Sequence, residues 1–285
     1  MKTCINCLSP NFVRNGHDKR GIQRYKCNDC GKRFCEKGFF ARYRHSPKEI
    51  TNAVYLKMKR QTSREVSDTM LAFFRVSVSH ATVCSWFKKF VGMIKKFAKL
   101  ISINFTKIWH VDEKYIKVRG SKDKFAYLWV VCDTESKILA THVSDKRDIV
   151  NAKIILRKAR ERTGFLPDII ITDGLQAYKR ACRIFGRKTS HLEAHFEGKY
   201  AAYHGEILKL CNNRIERLNS DIDLFIHSMR GFKSFESAQV WIDGFVVYHN
   251  YLKPSAVKWY KIHGMLVNRR AKELIVIKKA IVITF

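Results

Sequence analysis

The chain has 285 residues, is 46% hydrophobic and carries a formal charge of +30, with a pI near 9.9. That length holds one sizeable core plus a small module, and the charge goes far beyond what solubility needs, pointing to a polyanion: nucleic acid before an anionic membrane surface. No apolar run is long enough for a bilayer span and the start lacks the apolar stretch of a signal peptide, which argues against a membrane protein; nine cysteines, an odd number, suit metal in a reducing, cytoplasmic compartment better than disulfides.

The first module is Cys4-Ile5-Asn6-Cys7 followed by Cys27-Asn28-Asp29-Cys30. Two Cys-x-x-Cys knuckles at this separation predict a four-cysteine zinc ribbon over residues 1–45, with Zn²⁺ held by Cys4, Cys7, Cys27 and Cys30. Gln23–Lys26 and Lys32–Phe34 read as its short basic strands. The bland alternative is four unrelated buried cysteines. Cys35, Cys84, Cys132, Cys182 and Cys211 lie outside the paired spacing and read as small core or surface residues.

Residues 46–97 predict three helices. Ser46-Pro47-Lys48-Glu49 is a capping box with Pro at the first helical position. Thr62-Ser63-Arg64-Glu65 repeats the signal. Ser79 caps a third helix with Val83, Trp86, Phe87, Phe90 and Ile94 as its apolar stripe. That leaves His80, Thr82, Ser85, Lys88 and Lys89 on the open face, a helix-turn-helix pattern with a DNA-reading helix. A plain three-helix bundle has the same periodicity. Charge tips the reading towards DNA, since residues 1–106 hold 22 Lys/Arg against 6 Asp/Glu.

After a linker over Ala98–Thr106, Ile108–Val118 reads as a strand with a carboxylate, Asp112, in its middle. Asp is costly in such a run unless a cation or a hydrogen-bond network holds it. Lys124–Asp133 and Ile138–Val143 complete an antiparallel meander. A helix follows from about Ile149 to Arg162, ended by Gly164. Ile169-Ile170-Ile171 is a strand buried on both faces, and a second carboxylate, Asp173, closes it just before Gly174. A short helix around Leu175–Ile184 and a fifth strand at Ser190–Glu193 come next. Residues 196–211 have no clear period. Asn212–Met229 is an amphipathic helix with Glu216 on its polar face, and Phe235–Tyr251 is the last helix. The tail, residues 255–285, is basic and β-prone, with no functional reading.

Strand, strand, strand, helix, strand, helix, strand, helix makes an α/β fold: a mixed five-stranded sheet with helices on its faces. An Asp on its first strand and another closing the fourth is a ribonuclease H-like arrangement for divalent metal. Taken singly, each acid has a bland reading: Asp112 a salt bridge to Lys114 or Arg119, Asp173 a turn residue, Glu216 a solvated helix face. His110 and His191 read as core or surface histidines rather than catalysts.

These residues resemble the DDE transposases of bacterial and archaeal insertion sequences, most closely the insertion-sequence-six group. The resemblance rests on Trp109-His110-Val111-Asp112-Glu113, on Thr172-Asp173-Gly174 and on Asn212-Asn213-Arg214-Ile215-Glu216-Arg217-Leu218-Asn219. Met229-Arg230-Gly231-Phe232-Lys233 and Tyr248-His249-Asn250-Tyr251 extend it, over roughly residues 105 to 254. It implies a ribonuclease H-like catalytic core over 105–254 with an acid triad of Asp112, Asp173 and Glu216. Mg²⁺ or Mn²⁺ would be held there, with Asp112 bridging two ions. It also implies double-stranded DNA as partner, both element ends and target, a homodimer or higher oligomer on DNA, and a place at the nucleoid. The contrasting expectation is a catalytically inactive DNA-binding relative that regulates transposition or transcription. Two departures stand out. The interval between Asp173 and Glu216, residues 174–215, is longer than the family's usual one, which makes Glu206 a rival third acid. Lys253-Pro254-Ser255 stands where the family usually has an Arg-Pro-His run.

Overall fold

The computed structural model describes residues 3–4, 6–7, 9–18, 21–35, 43–98, 103–119, 125–194, 199–203, 206–210, 212–229 and 231–253. The tail over 255–285 therefore lies outside the described residues. Two compact units separate: the first takes in the described residues of Met1–Leu56 and Arg64–Trp86, the second Lys57–Ser63 and Phe87–Lys253.

The first unit begins with a three-stranded antiparallel sheet, β1 (Phe12–His17), β2 (Gln23–Cys27) and β3 (Arg33–Cys35). Its core is small: Tyr25 and Phe34 stack at 5.5 Å, and Phe12 meets both edge-on. So few apolar residues cannot hold a module of this size on their own. Helices α1 (Pro47–Met58), α2 (Ser63–Phe74) and α3 (His80–Ala98) follow, and the boundary between the units passes through α3 after Trp86. The expected capping box is present: Glu49 N–H donates to Ser46 Oγ at 3.3 Å, and Ser46 N–H donates back to Glu49 Oε2 at 3.1 Å. Ser79 Oγ likewise accepts from Thr82 N–H at 3.1 Å. The turn before α3 closes with Val76 N–H on Met70 O at 3.0 Å, while Arg75 takes φ 55° at a position where glycine is usual.

The second unit is built on a five-stranded sheet in the order β6-β5-β4-β7-β8. Strands β4 (Ile108–Lys117), β5 (Phe125–Asp133) and β6 (Ile138–Ser144) form the antiparallel meander; β7 (Ile169–Thr172) and β8 (Ser190–Glu193) run parallel to β4. Alternation sorts the side chains. Trp109, Val111, Trp129, Val131 and Ile170 face α4 (Ile149–Thr163) and α5 (Gln176–Ala181), where Ala152, Ile155, Leu156 and Tyr178 complete the main core. On the other face α6 (Asn213–His227) lies against β4, and α7 (Phe235–Val247) against β6. Helix α4 starts on Asp148, which accepts from Asn151 N–H at 2.9 Å, and ends on Gly164 at φ 78°. Inside α7, Gly244 lets the fully buried Phe87 ring approach: a Cβ there would meet its Cζ at 2.3 Å.

Three local results differ from the sequence expectations. The unreadable stretch 196–211 contains an antiparallel hairpin, β9 (Lys199–Tyr203) and β10 (Glu206–Leu210), in a sheet of its own. This hairpin lies within the interval between Asp173 and Glu216. The short helix after Asp173 ends at Ala181 and continues as a 3₁₀ stretch, Cys182–Lys188. The last helix likewise gives way to a π-helical turn, Tyr248–Leu252.

In the two outlying segments of the resemblance, Asn250 and Phe232 tie the chain to the sheet. Asn250 holds both backbone groups of Ile138, at 2.9 and 2.8 Å, and so closes the edge strand β6. Phe232 is buried and exchanges backbone hydrogen bonds with Lys117 and Arg119, which pins the loop after α6 to the end of β4.

Candidate active site

The parallel register of β4 and β7 pairs His110 with Ile171. Two residues further along each strand stand Asp112 and Asp173, so both leave the sheet on one face and at one end. Their carboxylates and that of Glu113 all lie within 4.8 Å of one another. Thr172, the residue before Asp173, is fully buried, and its hydroxyl pairs with His191 Nε2 at 2.9 Å on the neighbouring strand. Asp173 then caps the turn at Gly174 (φ 91°), accepting from Leu175 N–H at 3.2 Å.

Asp112 is partly buried. It accepts from Glu113 N–H at 2.9 Å and from Asn219 Nδ2 at 2.7 Å. Burial first, and then the charges of Glu113 and Asp173, push its pKa up to about 7. Neither expected salt-bridge partner takes it: Lys114 turns to Asp223 and to the carbonyl of Asn219 on α6. Glu113 has a side chain 3% exposed and a pKa raised chiefly by burial. Its Oε2 accepts from the Tyr178 hydroxyl, and its Oε1 from Arg147, whose Nε lies at 2.6 Å. Arg147 Nη2 also stands 3.8 Å from Asp173.

Helix α6 presents Asn212, Glu216, Asn219 and Asp223 on one side, at helical spacing. Asn219 reaches Asp112 and Asp223 reaches Lys114, so that side faces β4. Glu216 lies one turn before Asn219 but is exposed, and its carboxylate is not among those within 4.8 Å. The structure thus brings together Asp112 and Asp173 and leaves Glu216 outside the cluster. With three carboxylates already converging, a fourth is repelled unless a cation draws it in. Glu206 lies at the start of β10, in the separate two-stranded sheet.

His110 is buried under α6 and its pKa falls to about 4, through burial and then the charge of Arg214, so it is a neutral ring of the core. Glu113, Arg147 and Tyr178 are the site residues that sequence reading missed, whereas Asn219 was readable on the same polar face of α6 as Glu216. Glu113 was visible as a second acid next to Asp112; Arg147 and Tyr178 carried no signal of proximity.

The cluster's oxygen donors are of the hard, anionic type that suits Mg²⁺ or Mn²⁺. In the first unit, Cys4, Cys7, Cys27 and Cys30 gather their sulfurs within 4.8 Å, with Cys4–Cys30 at 3.6 Å and Cys7–Cys27 at 3.5 Å. Thiolates around a tetrahedral Zn²⁺ at about 2.3 Å stand roughly 3.8 Å apart, close to these values. The Lys32 backbone N–H brings the Cys30 thiol down to about 6, and Gly31 at φ 68° makes the knuckle turn. Of the DNA-reading candidates, His80, Ser85, Lys88 and Lys89 are exposed on α3, whereas Thr82 pairs its hydroxyl with Ser79 at 2.9 Å.

Residues 106–255 match a family model described as a DDE domain. The transposase for insertion sequence-like element IS431mec of Staphylococcus aureus is 28% identical over 144 residues, covering 50% of this chain and 62% of that protein. The transposase for insertion sequence element IS257 in transposon Tn4003, also of Staphylococcus aureus, matches to the same extent. The chain thus spans 62% of the length of these curated relatives. Among solved structures, the catalytic core domain of HTLV-2 integrase is 16% identical with a TM-score of 0.37, covering 52% of this chain and 89% of that one. The catalytic domain of Mos1 mariner transposase is 17% identical with a TM-score of 0.35, covering 70% and 93%.

Proposed function

This chain belongs to the DDE-domain family of insertion-sequence transposases, and from that premise we propose that it binds the ends of an insertion sequence, cuts DNA there and joins the freed 3′-hydroxyl to target DNA. The observation that carries the reading is the β4–β7 register, which sets Asp112 beside Asp173 at one end of the sheet. A pair of divalent ions held there would activate the attacking oxygen and stabilise charge on the leaving one.

The chain's own residues do the rest. Asp112 would lie between the ions, fixed in direction by Asn219 and by the Glu113 backbone. Asp173 would hold one ion and Glu216, on the face α6 shares with Asn219, would hold the other. Water first attacks the phosphorus at the element end, and the departing oxygen becomes a free 3′-hydroxyl. That hydroxyl then attacks a target phosphorus and displaces the target's own 3′-oxygen. No covalent enzyme intermediate is involved. The Cys4, Cys7, Cys27, Cys30 module would hold one structural Zn²⁺, and α3 would place the chain on duplex DNA through His80, Ser85, Lys88 and Lys89. Pairing two ends calls for a dimer or a larger assembly on DNA.

The test is a duplex carrying the inverted repeat that flanks the gene, incubated with Mg²⁺. A nick leaving a 3′-hydroxyl at the repeat boundary, absent with Asp112→Asn, is the expected result. Binding without any nick would make the chain a DNA-binding relative that regulates rather than cuts.

A further inference from the structure

Arg147 immediately precedes the Asp148 cap of α4, and no motif drew notice to it. Its side chain is 36% exposed, yet it is paired with the Glu113 side chain, which is only 3% exposed. Burying a carboxylate is costly, and an apolar residue in its place is commonly as stable or more so. Stability alone therefore does not account for a buried acid here. Position does. Glu113 follows Asp112 on β4, and its two oxygens are taken up by the Tyr178 hydroxyl on one side and by Arg147 on the other. The guanidinium is thereby held at the rim of the acid cluster. It lies 3.8 Å from Asp173, too long for a hydrogen bond, and among the described residues its Nη1 has no hydrogen-bond partner.

We propose that Arg147 is a phosphate clamp: Glu113 and Tyr178 are positioning residues that fix its guanidinium beside Asp173, and its open edge binds a DNA backbone phosphate at the reacting position. The proposal rests on the functional reading above. A planar fork of donors suits a phosphodiester's two free oxygens. A cation already fixed in place stabilises charge that grows on those oxygens during transfer without having to reorganise. Glu113 in this arrangement neutralises the arginine and is not a metal ligand.

The experiment compares the full chain with Arg147→Gln, Arg147→Lys, Glu113→Gln and the double variant Arg147→Gln/Glu113→Gln. The double variant matters because the single Arg147→Gln strands a buried charge and destabilises the fold, whereas a neutral glutamine in place of Glu113 keeps the contact to Tyr178. Affinity for a short DNA duplex is measured without Mg²⁺ across a series of KCl concentrations, alongside the nicking rate in Mg²⁺ and Mn²⁺ binding followed by paramagnetic resonance. A clamp predicts that both variants lacking Arg147 show a salt slope shallower by about 0.9, the value of one phosphate contact. Their nicking should fall roughly 10- to 1,000-fold. Arg147→Lys should recover the slope but little of the rate, and Glu113→Gln should keep Mn²⁺ affinity. A double variant that nicks like wild type with an unchanged slope would reduce the pair to a structural ion pair and overturn the clamp. Loss of Mn²⁺ binding in Glu113→Gln would make Glu113 a ligand and overturn its positioning role. Wild type that fails to nick defeats the functional reading instead, while the salt slope, read without Mg²⁺, still decides the clamp.

Discussion

Asn219 donates a 2.7 Å hydrogen bond to Asp112, so α6 touches strand β4 three residues beyond Glu216, on the helix side that both residues share. One helical turn separates the contact from the proposed third acid. A metal ligand must be held to a fraction of an ångström, and about 1 Å of error costs on the order of a hundredfold in rate. The Asn219 contact supplies that control over where α6 lies.

Glu216→Gln should abolish strand cleavage in Mg²⁺ while gel-shift binding of the same duplex survives. Glu206→Gln, altered in the separate hairpin, should keep most of its activity. Asn219→Ala should cut more slowly, by about tenfold, with DNA affinity unchanged, because it loosens Asp112 and α6 without removing a ligand. The three are assayed side by side on one DNA end. Normal cutting by Glu216→Gln together with a dead Glu206→Gln would show that the third acid had been assigned to the wrong element.

Asp112 makes the metal-free fold sensitive to pH. Its pKa stands at about 7 in the folded chain against an ordinary 3.8. The folded state therefore binds this proton more tightly than the unfolded state does. Stability contributed by protonated Asp112 is present at low pH and is lost as pH rises towards and through 7, a difference on the order of a few kcal/mol. Without metal, Asp112→Asn should melt higher than wild type at pH 8, and the gap should close as pH falls to about 4. Mg²⁺ should raise the melting temperature of wild type and leave the variant unmoved. Parallel melting curves across that pH range would mean that Asp112 carries no unpaired charge.

Metal analysis of the purified chain should find about one Zn²⁺ per molecule, released by a strong chelator. The β1–β3 sheet buries too few apolar residues to stand without it. Cys27→Ser, at a fully buried position, should lose the zinc and weaken DNA binding while the five-stranded unit keeps its own melting transition. Full-length protein free of zinc, with the four thiols still titratable, would dispose of the assignment.

Lys88→Ala should weaken all duplexes about equally and reduce the salt dependence of binding by roughly 0.9 in slope, since a phosphate contact positions the chain without reading bases. Ser85→Ala should act differently, weakening one sequence more than others if α3 enters the major groove. An affinity loss for Lys88→Ala confined to a single sequence would contradict the phosphate role.

Much of the fold is legible in the residue order because the relevant signals are local. The Ser46 and Ser79 caps, the Gly164 stop, the β-branched runs at Ile108 and Ile169 and the Cys-x-x-Cys pairs each specify conformation within a few residues. Order along the chain was also enough to pick out the two acids, Asp112 within one strand and Asp173 closing another, that the sheet sets side by side. Elements with weak local preference were not legible. The hairpin at Lys199–Leu210 lacks the alternation that marks a half-buried strand, and the π-helical turn at Tyr248 depends on what Asn250 and Tyr251 reach.

The amino-acid sequence by itself determined that this chain folds as a mixed sheet with one aspartate within a strand and another closing a second strand, preceded by a cysteine cluster and a basic helical segment. Only the tertiary structure decided which groups complete the site. Arg147 lies before α4, Tyr178 on α5 and Asn219 on α6, each more than thirty residues from the acid it touches. Such contacts arise from helices docking on a twisted sheet, and no local propensity encodes them. The position of Glu216 was settled at the same level. Its helix and its face were readable from periodicity, but its distance from Asp112 depends on how α6 seats on β4 and on the charge gathered there.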